Sequence, residues 1–228
     1  MSIINEKRLN IIIGAYGSGK SELSVNMALM MKERKPENKI LLADLDIVNP
    51  FYRSADAARK LGEDGIRVIY PSYANSNVDA PVLSGEMYVI FDDPAYSGVF
   101  DIGGEDMGAY VLGSLYSRLK GIDFNLYMVV NTRRPFTADA ESVVQMTREL
   151  EEAARLKIDG YICNTNLLEQ TTVEEIIEGE EIIRKAGEYT GIPLLATSVM
   201  DEFVPVEKQS VLTAPEIIRL RRTIHYDY

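Results

Sequence analysis

Eight consecutive residues, Gly14-Ala15-Tyr16-Gly17-Ser18-Gly19-Lys20-Ser21, set three glycines, a lysine and a hydroxyl at the spacing G-x-x-x-x-G-K-[ST]. The chemistry of that spacing is the cradling of a polyphosphate. Phosphate oxygens need several backbone N–H groups converging on them, so the chain must coil tightly through positive φ values. Gly14, Gly17 and Gly19 permit the coil. A helix that follows would aim its unpaired N–H groups and partial positive charge at the anion. Lys20 adds a mobile full charge for the β- and γ-phosphates, and Ser21 offers a hydroxyl to Mg2+. The expected cradle is Gly14, Tyr16, Gly17, Ser18, Gly19, Lys20, Ser21 and Glu22.

Other residues could act on a bound triphosphate. Asp44-Leu45-Asp46 follows the apolar run Ile40 to Ala43. In an open parallel sheet, functional groups collect at the carboxyl ends of strands. Alternation turns residues 44 and 46 to one side and Leu45 to the other. The two carboxylates therefore suit Mg2+ contacts and the orientation of an attacking water or hydroxyl. A further acidic position is expected on the strand adjoining the phosphate loop. Asp101 is preferred there, because Gly103-Gly104 behind it allow close phosphate approach; Asp92 and Asp93 compete for the place, but before Pro94 they also read as a turn. Asn131-Thr132-Arg133-Arg134-Pro135 follows another strand. Arg133 or Arg134 could grip a phosphate or carboxylate bidentately, or could stand in a charged loop ahead of a helix. Arg53 is a further candidate of the same kind.

The elements that must position these groups alternate short apolar runs with longer segments of helical spacing, the βαβ pattern. Strands are expected over Leu9–Ile13, Ile40–Ala43, Ile66–Tyr70, Val99–Ile102, Phe124–Val130, Ile158–Cys163 and Ile192–Thr197. Helices are expected over Ser18–Arg34, Ser54–Leu61, Asp106–Leu119, Thr137–Arg155, Val173–Tyr189 and Pro215–Thr223. Pro71–Ser97 reads as an insertion or long loop holding one strand or hairpin around Met87–Phe91. The strands are mostly continuous apolar runs, as in strands buried on both faces of a parallel sheet. The expected fold class is α/β, a doubly wound, mostly parallel sheet with helices on both faces, in one domain spanning residues 1–228.

Composition narrows the function. The 228 residues carry a formal net charge of -11, which disfavours nonspecific binding to nucleic acid or to an anionic membrane. One cysteine, Cys163, excludes a disulfide framework or a cysteine-built metal site within one chain. The only histidine, His225, lies near the terminus and leaves no histidine for a triad elsewhere. No apolar stretch approaches the ~20 residues of a spanning helix, and the first residues lack a secretion pattern, so a cytoplasmic protein is expected. The tail Ile217–Ile224 is basic and partly amphipathic, and reads as a helix packed on the domain rather than a membrane anchor.

The order of the phosphate loop, then Ala43-Asp44-Leu45-Asp46-Ile47-Val48-Asn49-Pro50, then Phe100-Asp101-Ile102-Gly103-Gly104, resembles the MinD/ParA/nitrogenase-iron-protein group of P-loop proteins (the SIMIBI-type NTPases), which also includes dethiobiotin-synthetase-like enzymes. The resemblance implies binding of ATP with Mg2+, commonly in a nucleotide-bridged dimer. It assigns Asp46 to orienting the attacking water and Ser21, Asp44 and Asp101 to the metal. It gives adenine to Asn164, whose amide offers both a donor and an acceptor, with the segment after Ile192–Thr197 lining the base pocket. The second lysine that MinD and ParA members carry early in the loop is Ala15 here, as in relatives that act as ligases, kinases or GTPases. The GTP-reading string N-K-x-D does not occur. The leading expectation is a Mg2+-dependent ATPase acting as a nucleotide-dependent switch on a homodimer or an unnamed protein partner. An ATP-dependent kinase or ligase for a small-molecule acceptor and a non-hydrolysing regulatory subunit are the alternatives.

Overall fold

The computed structural model describes residues 2–5, 7–45, 55–69, 85–103 and 106–223. Its apolar runs become eight strands: β1 (Leu9–Ile13), β2 (Lys39–Leu45), β3 (Ile66–Ile69), β4 (Tyr96–Ile102), β5 (Phe124–Val130), β6 (Gly160–Cys163), β7 (Leu194–Met200) and β8 (Glu216–Leu220). They form one sheet in the order β3-β2-β4-β1-β5-β6-β7-β8, and every neighbouring pair is parallel. Among the described residues, six α-helices lie between them: α1 (Lys20–Arg34), α2 (Ala55–Glu63), α3 (Val89–Asp92), α4 (Asp106–Leu119), α5 (Ala140–Ala154) and α6 (Val173–Thr190).

Side-chain alternation divides each central strand between two apolar layers. Leu9, Ile11 and Ile13 of β1 join Leu126, Met128 and Val130 of β5 beneath Leu112 and Leu115 of α4 and Val143 and Leu150 of α5. Ile12, Tyr127 and Val129 point the other way, onto Leu23, Met27 and Met31 of α1. Burial on both faces is the reason these strands carry unbroken apolar runs. Connections from β1 lead toward β2 and β3, whereas those from β5 lead toward β6, β7 and β8. The chain thus reverses its direction of winding between the adjacent strands β1 and β5, and ligands of open α/β sheets bind in the crevice at such a point.

Two expected elements differ. Met87–Phe91 is not a strand: Gly85–Tyr88 forms a 3-10 turn that runs into α3. Met87 and Ile90, three apart, are its buried residues, so the run packs one helical face on the core. Tyr96 and Ser97 already belong to β4, and residues 71–84 of the expected insertion lie outside the described residues. Pro215–Thr223 is not a helix but β8, paired in register with β7 from Ala196↔Glu216 to Met200↔Leu220. Ile218 and Leu220 enter the α1 layer, and a hydrogen-bonded edge outweighs the helix signal of Pro215. Among the described residues no helix is long and apolar enough to cross a membrane.

Gly62 sits exposed in the last turn of α2, and a Cβ there meets nothing within 4 Å. Gly62→Ala should stabilise the protein by about 0.5–1 kcal/mol, through helix propensity and a less flexible unfolded chain. A chemical denaturation curve checks this, and a lowered midpoint contradicts it.

Candidate functional site

The phosphate loop leaves the carboxyl end of β1 and enters α1 at Lys20. Its three glycines all hold positive φ: 153° at Gly14, 73° at Gly17 and 85° at Gly19. A Cβ on Gly14 would lie 2.3 Å from the Val129 carbonyl oxygen, and one on Gly19 would lie 2.1 Å from Asn164 Nδ2. The coil is therefore pressed against β5 and the end of β6. A turn closes it, with Ser18 N–H donating to the Ala15 carbonyl at 3.2 Å. Lys20 is buried, and its Nζ donates to the same carbonyl at 3.0 Å.

The donor set fits a polyphosphate. Gly19 caps α1 without any side-chain hydrogen bond, so no side chain of the cap competes for the first-turn N–H groups, which have no partners within the helix. In contrast, α5 and α6 carry capping boxes, Asp139 with Ser142 and Thr172 with Glu175. The Ser18 hydroxyl is fully buried and has no hydrogen-bond partner among the described residues.

On one side of the loop lie the two acids. Asp44 on β2 and Asp101 on β4 are directly paired in register, with Asp101 in turn beside Ile12 of β1. Their neighbours Ala43, Leu45, Phe100 and Ile102 all enter the α4–α5 layer, so both carboxylates face the α1 side. Both are buried. Two buried carboxylates side by side at the strand ends next to the loop suit a divalent cation. Among the described residues no group of three or more His, Cys, Asp or Glu side chains forms a self-sufficient metal site. Mg2+ is commonly held by one or two carboxylates together with phosphate and water, and Ser21, Asp44 and Asp101 suit that mode. Asp93 and Asp92 are at the other end of the sheet, ahead of β4. Asp93 accepts from Ala95 N–H at 2.9 Å and pairs with Lys39 at 3.3 Å, which holds its carboxyl below the usual range.

On the opposite side of the loop a cavity of about 510 Å³ opens over the ends of β6, β7 and β8. Gly17, Gly19 and Arg134 form its wall toward the loop, Asn164, Asn166 and Ser198 its polar edge, and Val199, Phe203 and Leu220 part of its apolar lining. Its size falls within the usual range for a small-molecule site, ~300–1,000 Å³. The segment after Ile192–Thr197 thus lines a pocket beside the loop.

Individual residues show their bonding. Asn164 is buried between two partners: Nδ2 donates to the Ser18 carbonyl at 2.7 Å, and Oδ1 accepts from Ser198 Oγ at 2.8 Å. The side chain braces the phosphate loop, leaving one N–H and one lone pair of the amide for other use. Glu22 does not turn its carboxylate to phosphate; Oε1 accepts from the Thr223 N–H at 2.6 Å and hydroxyl at 2.7 Å, tying α1 to the residues after β8. Only its backbone N–H suits an anion. Tyr16 is exposed at the tip of the loop. Arg133 pairs with Glu175 and Glu178 of α6, whereas Arg134 Nε donates to the Gly17 carbonyl at 3.0 Å. Asp46 and Arg53 lie outside the described residues. Cys163 is buried, and burial pushes its thiol up to about 11, which makes it inert as a nucleophile.

Sequence reasoning missed the anchors between loops. Asn131 Nδ2 donates to the Asn166 carbonyl at 3.1 Å, and the hydroxyls of Thr132 and Thr165 are 3.0 Å apart. These bonds lace the end of β5 to the end of β6. Their only sequence signal is a cluster of Asn and Thr after each strand.

No protein-family model matches the chain, and no curated protein does. Solved structures do. FtsY from Mycoplasma mycoides is similar with a TM-score of 0.51 at 18% identity over 86% of this chain. FlhF complexed with GTP and Mg2+ is similar with a TM-score of 0.50 at 12% identity over 83% of this chain. The chain spans 60% and 64% of those chains, and at such identities the likeness concerns the fold. With a parallel sheet of eight strands and a glycine loop at its point of reversal, the chain has the α/β fold of the P-loop nucleoside-triphosphate-binding proteins.

Proposed function

We propose that the protein binds and hydrolyses ATP in a Mg2+-dependent manner and acts as a nucleotide-dependent switch of the MinD/ParA-like kind. The observation that carries this reading is the layout around the loop: a pocket of small-molecule size on the β6–β8 side and the buried pair Asp44 and Asp101 on the β4–β2 side. The backbone of Gly14–Ser21 and Lys20 grip the phosphates, and Ser21, Asp44 and Asp101 hold the metal. Bound Mg2+ would neutralise charge on the phosphate oxygens. Asp46, two residues beyond Asp44, orients the attacking water, and Asn164 offers its remaining N–H and lone pair to adenine.

The pocket's chemistry favours ATP. Adenine presents a donor beside an acceptor, which an amide matches, whereas guanine presents two adjacent donors, which a carboxylate matches. The polar edge here is Asn164, Asn166 and Ser198, and the carboxylate of Glu22 is engaged by Thr223. GTP is the second reading, favoured by the fold shared with FlhF, whose structure is a complex with GTP and Mg2+.

Phosphate release from ATP and GTP with Mg2+, measured beside direct binding, tests both. Wild type should hydrolyse ATP in preference to GTP, and Lys20→Ala should lose binding. Asp46→Asn should bind ATP while turnover falls ~100-fold or more, the loss typical of a removed catalytic proton acceptor. Binding without phosphate release would move the search to a small acceptor or a regulatory role, and failure to bind either nucleotide ends this reading. Sedimentation with and without ATP tests the homodimer form of the switch, which requires a change in dimer content.

A further inference from the structure

The cavity beside the phosphate loop has apolar side chains that remain open to water. Phe136 and Leu168 both line it, yet Phe136 is 62% exposed and Leu168 38%. Each is held at the cavity by its backbone. Phe136 is the middle residue of the 3-10 turn Pro135–Thr137. Pro135 fixes the entry to that turn. Thr137, fully buried, closes it, its hydroxyl donating to the Asn131 carbonyl at 2.8 Å and its N–H to the Arg134 carbonyl at 3.1 Å. The ring is thus presented from a pinned turn.

Leu168 lies in the loop after β6, just beyond Asn164 and Asn166. Its φ is 56°, a left-handed conformation that a side chain of this size disfavours. Thr171 enforces it: the Leu168 carbonyl accepts from the Thr171 N–H at 3.0 Å and hydroxyl at 2.6 Å, and Thr171 Oγ1 accepts from the Leu167 N–H at 2.8 Å. Backbone strain of this kind clusters at ligand clamps. The loops carrying Phe136 and Leu168 are joined where the Thr132 and Thr165 hydroxyls meet at 3.0 Å, so the two apolar groups belong to one braced rim.

The occupant follows from the neighbouring wall. Gly17 and Gly19 of the phosphate loop line the same cavity, so a nucleotide whose phosphates lie in the coil reaches it with its other end. That end is a planar ring with a polar edge and two apolar faces. Asn164, Asn166 and Ser198 supply polar atoms for the edge. The faces require apolar cover, which an aromatic ring provides by stacking.

We propose that Phe136 and Leu168 hold the faces of the base, Phe136 by stacking and Leu168 by apolar packing. The proposal rests on the nucleotide-binding reading above and names the side chains that give it affinity at the base. Every base has a π-face, so these contacts strengthen binding of ATP and GTP alike and leave the choice between them to the polar edge.

ATP, GTP and inorganic tripolyphosphate, each with Mg2+, should be titrated on wild type, Phe136→Ala, Phe136→Trp and Leu168→Asn. Asn accepts the left-handed conformation, so Leu168→Asn removes the apolar surface and keeps the turn. Phe136→Ala should weaken ATP ~10–100-fold, the loss typical of a removed base–aromatic stack, with GTP weakened by a similar factor. Leu168→Asn should weaken ATP by less, and tripolyphosphate should respond to none of these changes. The chain has no tryptophan, so Phe136→Trp places a single fluorophore at the rim. It should keep ATP affinity, with emission that changes on adding ATP and not on adding tripolyphosphate. Unchanged ATP affinity in Phe136→Ala, equal loss of ATP and tripolyphosphate, or tryptophan emission blind to saturating ATP overturns the proposal. If wild type binds neither nucleotide, it is the underlying reading that has failed.

Discussion

Gly14→Ala is expected to eliminate triphosphate binding and to destabilise the protein by about 2–5 kcal/mol, the sum of a forced backbone conformation and an overpacked contact. The added Cβ would sit 2.3 Å from the Val129 carbonyl oxygen. That atom is backbone in β5, which pairs with β1 over Phe124–Met128 and with β6 over Tyr127–Val130, and cannot swing aside as a side-chain tip can. The φ of 153° strains any Cβ-bearing residue independently. Either β1 and β5 separate or the loop lifts off β5, and both outcomes scatter the N–H groups that converge on phosphate. The contrast is Gly62→Ala, the same chemical change in open space. Paired denaturation and nucleotide titrations check the prediction. Unaltered affinity in a folded Gly14→Ala protein would falsify the role given to the coil.

Glu180→Ala should cost about 3–5 kcal/mol, the range for breaking a buried, hydrogen-bonded charge. Glu180 on α6 is buried, yet its carboxylate accepts from Thr197 Oγ1 at 2.6 Å, Thr213 Oγ1 at 2.7 Å, Thr213 N–H at 2.9 Å and Ala214 N–H at 3.3 Å. Arg184 stands 3.5 Å away. Burial opposes the charged form, but these donors outweigh it and hold the carboxyl below the usual glutamate range. A depressed folded value means that this stabilisation is complete above the ordinary glutamate pKa and is lost as pH falls through the folded one. Wild-type stability should therefore drop on acidification below the glutamate range more steeply than that of Glu180→Gln, with the two curves converging in acid. Denaturant midpoints across that range measure it; parallel curves would show that Glu180 carries no such load. The same carboxylate ties α6 to β7 and to the residues leading into β8, so Glu180→Ala should also weaken nucleotide binding at the pocket those strands floor.

Much of this site could be read directly from residue types. The phosphate loop is local chemistry: three glycines that can take positive φ, a lysine and a hydroxyl, placed between an apolar run and a helix. Nothing distant is needed to specify it, and the structure shows all three glycines with positive φ. Runs of five to seven apolar residues such as Phe124–Val130 were equally legible, because burial on both faces leaves a continuous pattern. Short runs were not. Met87–Phe91 and Glu216–Leu220 carry apolar residues compatible with either period, and what each packs against decided between helix and strand. For the second, the deciding partner was the free edge of β7.

The sequence by itself thus carried the expectation of a polyphosphate ligand, through a loop whose conformation depends on its own residues, and the parallel α/β architecture, through the burial written into its strands. Only the tertiary structure decided which candidates meet. It set Asp44 beside Asp101 although their positions differ by 57 in the sequence, because parallel register joins the ends of β2 and β4. It turned Arg133 to α6 and Arg134 to the loop, a choice that two identical neighbours in sequence cannot express. It made Asn164 a brace for Ser18 across the end of the sheet. Each of these depends on side chains brought together from distant segments, whose spacing along the chain carries no record of their distance in space.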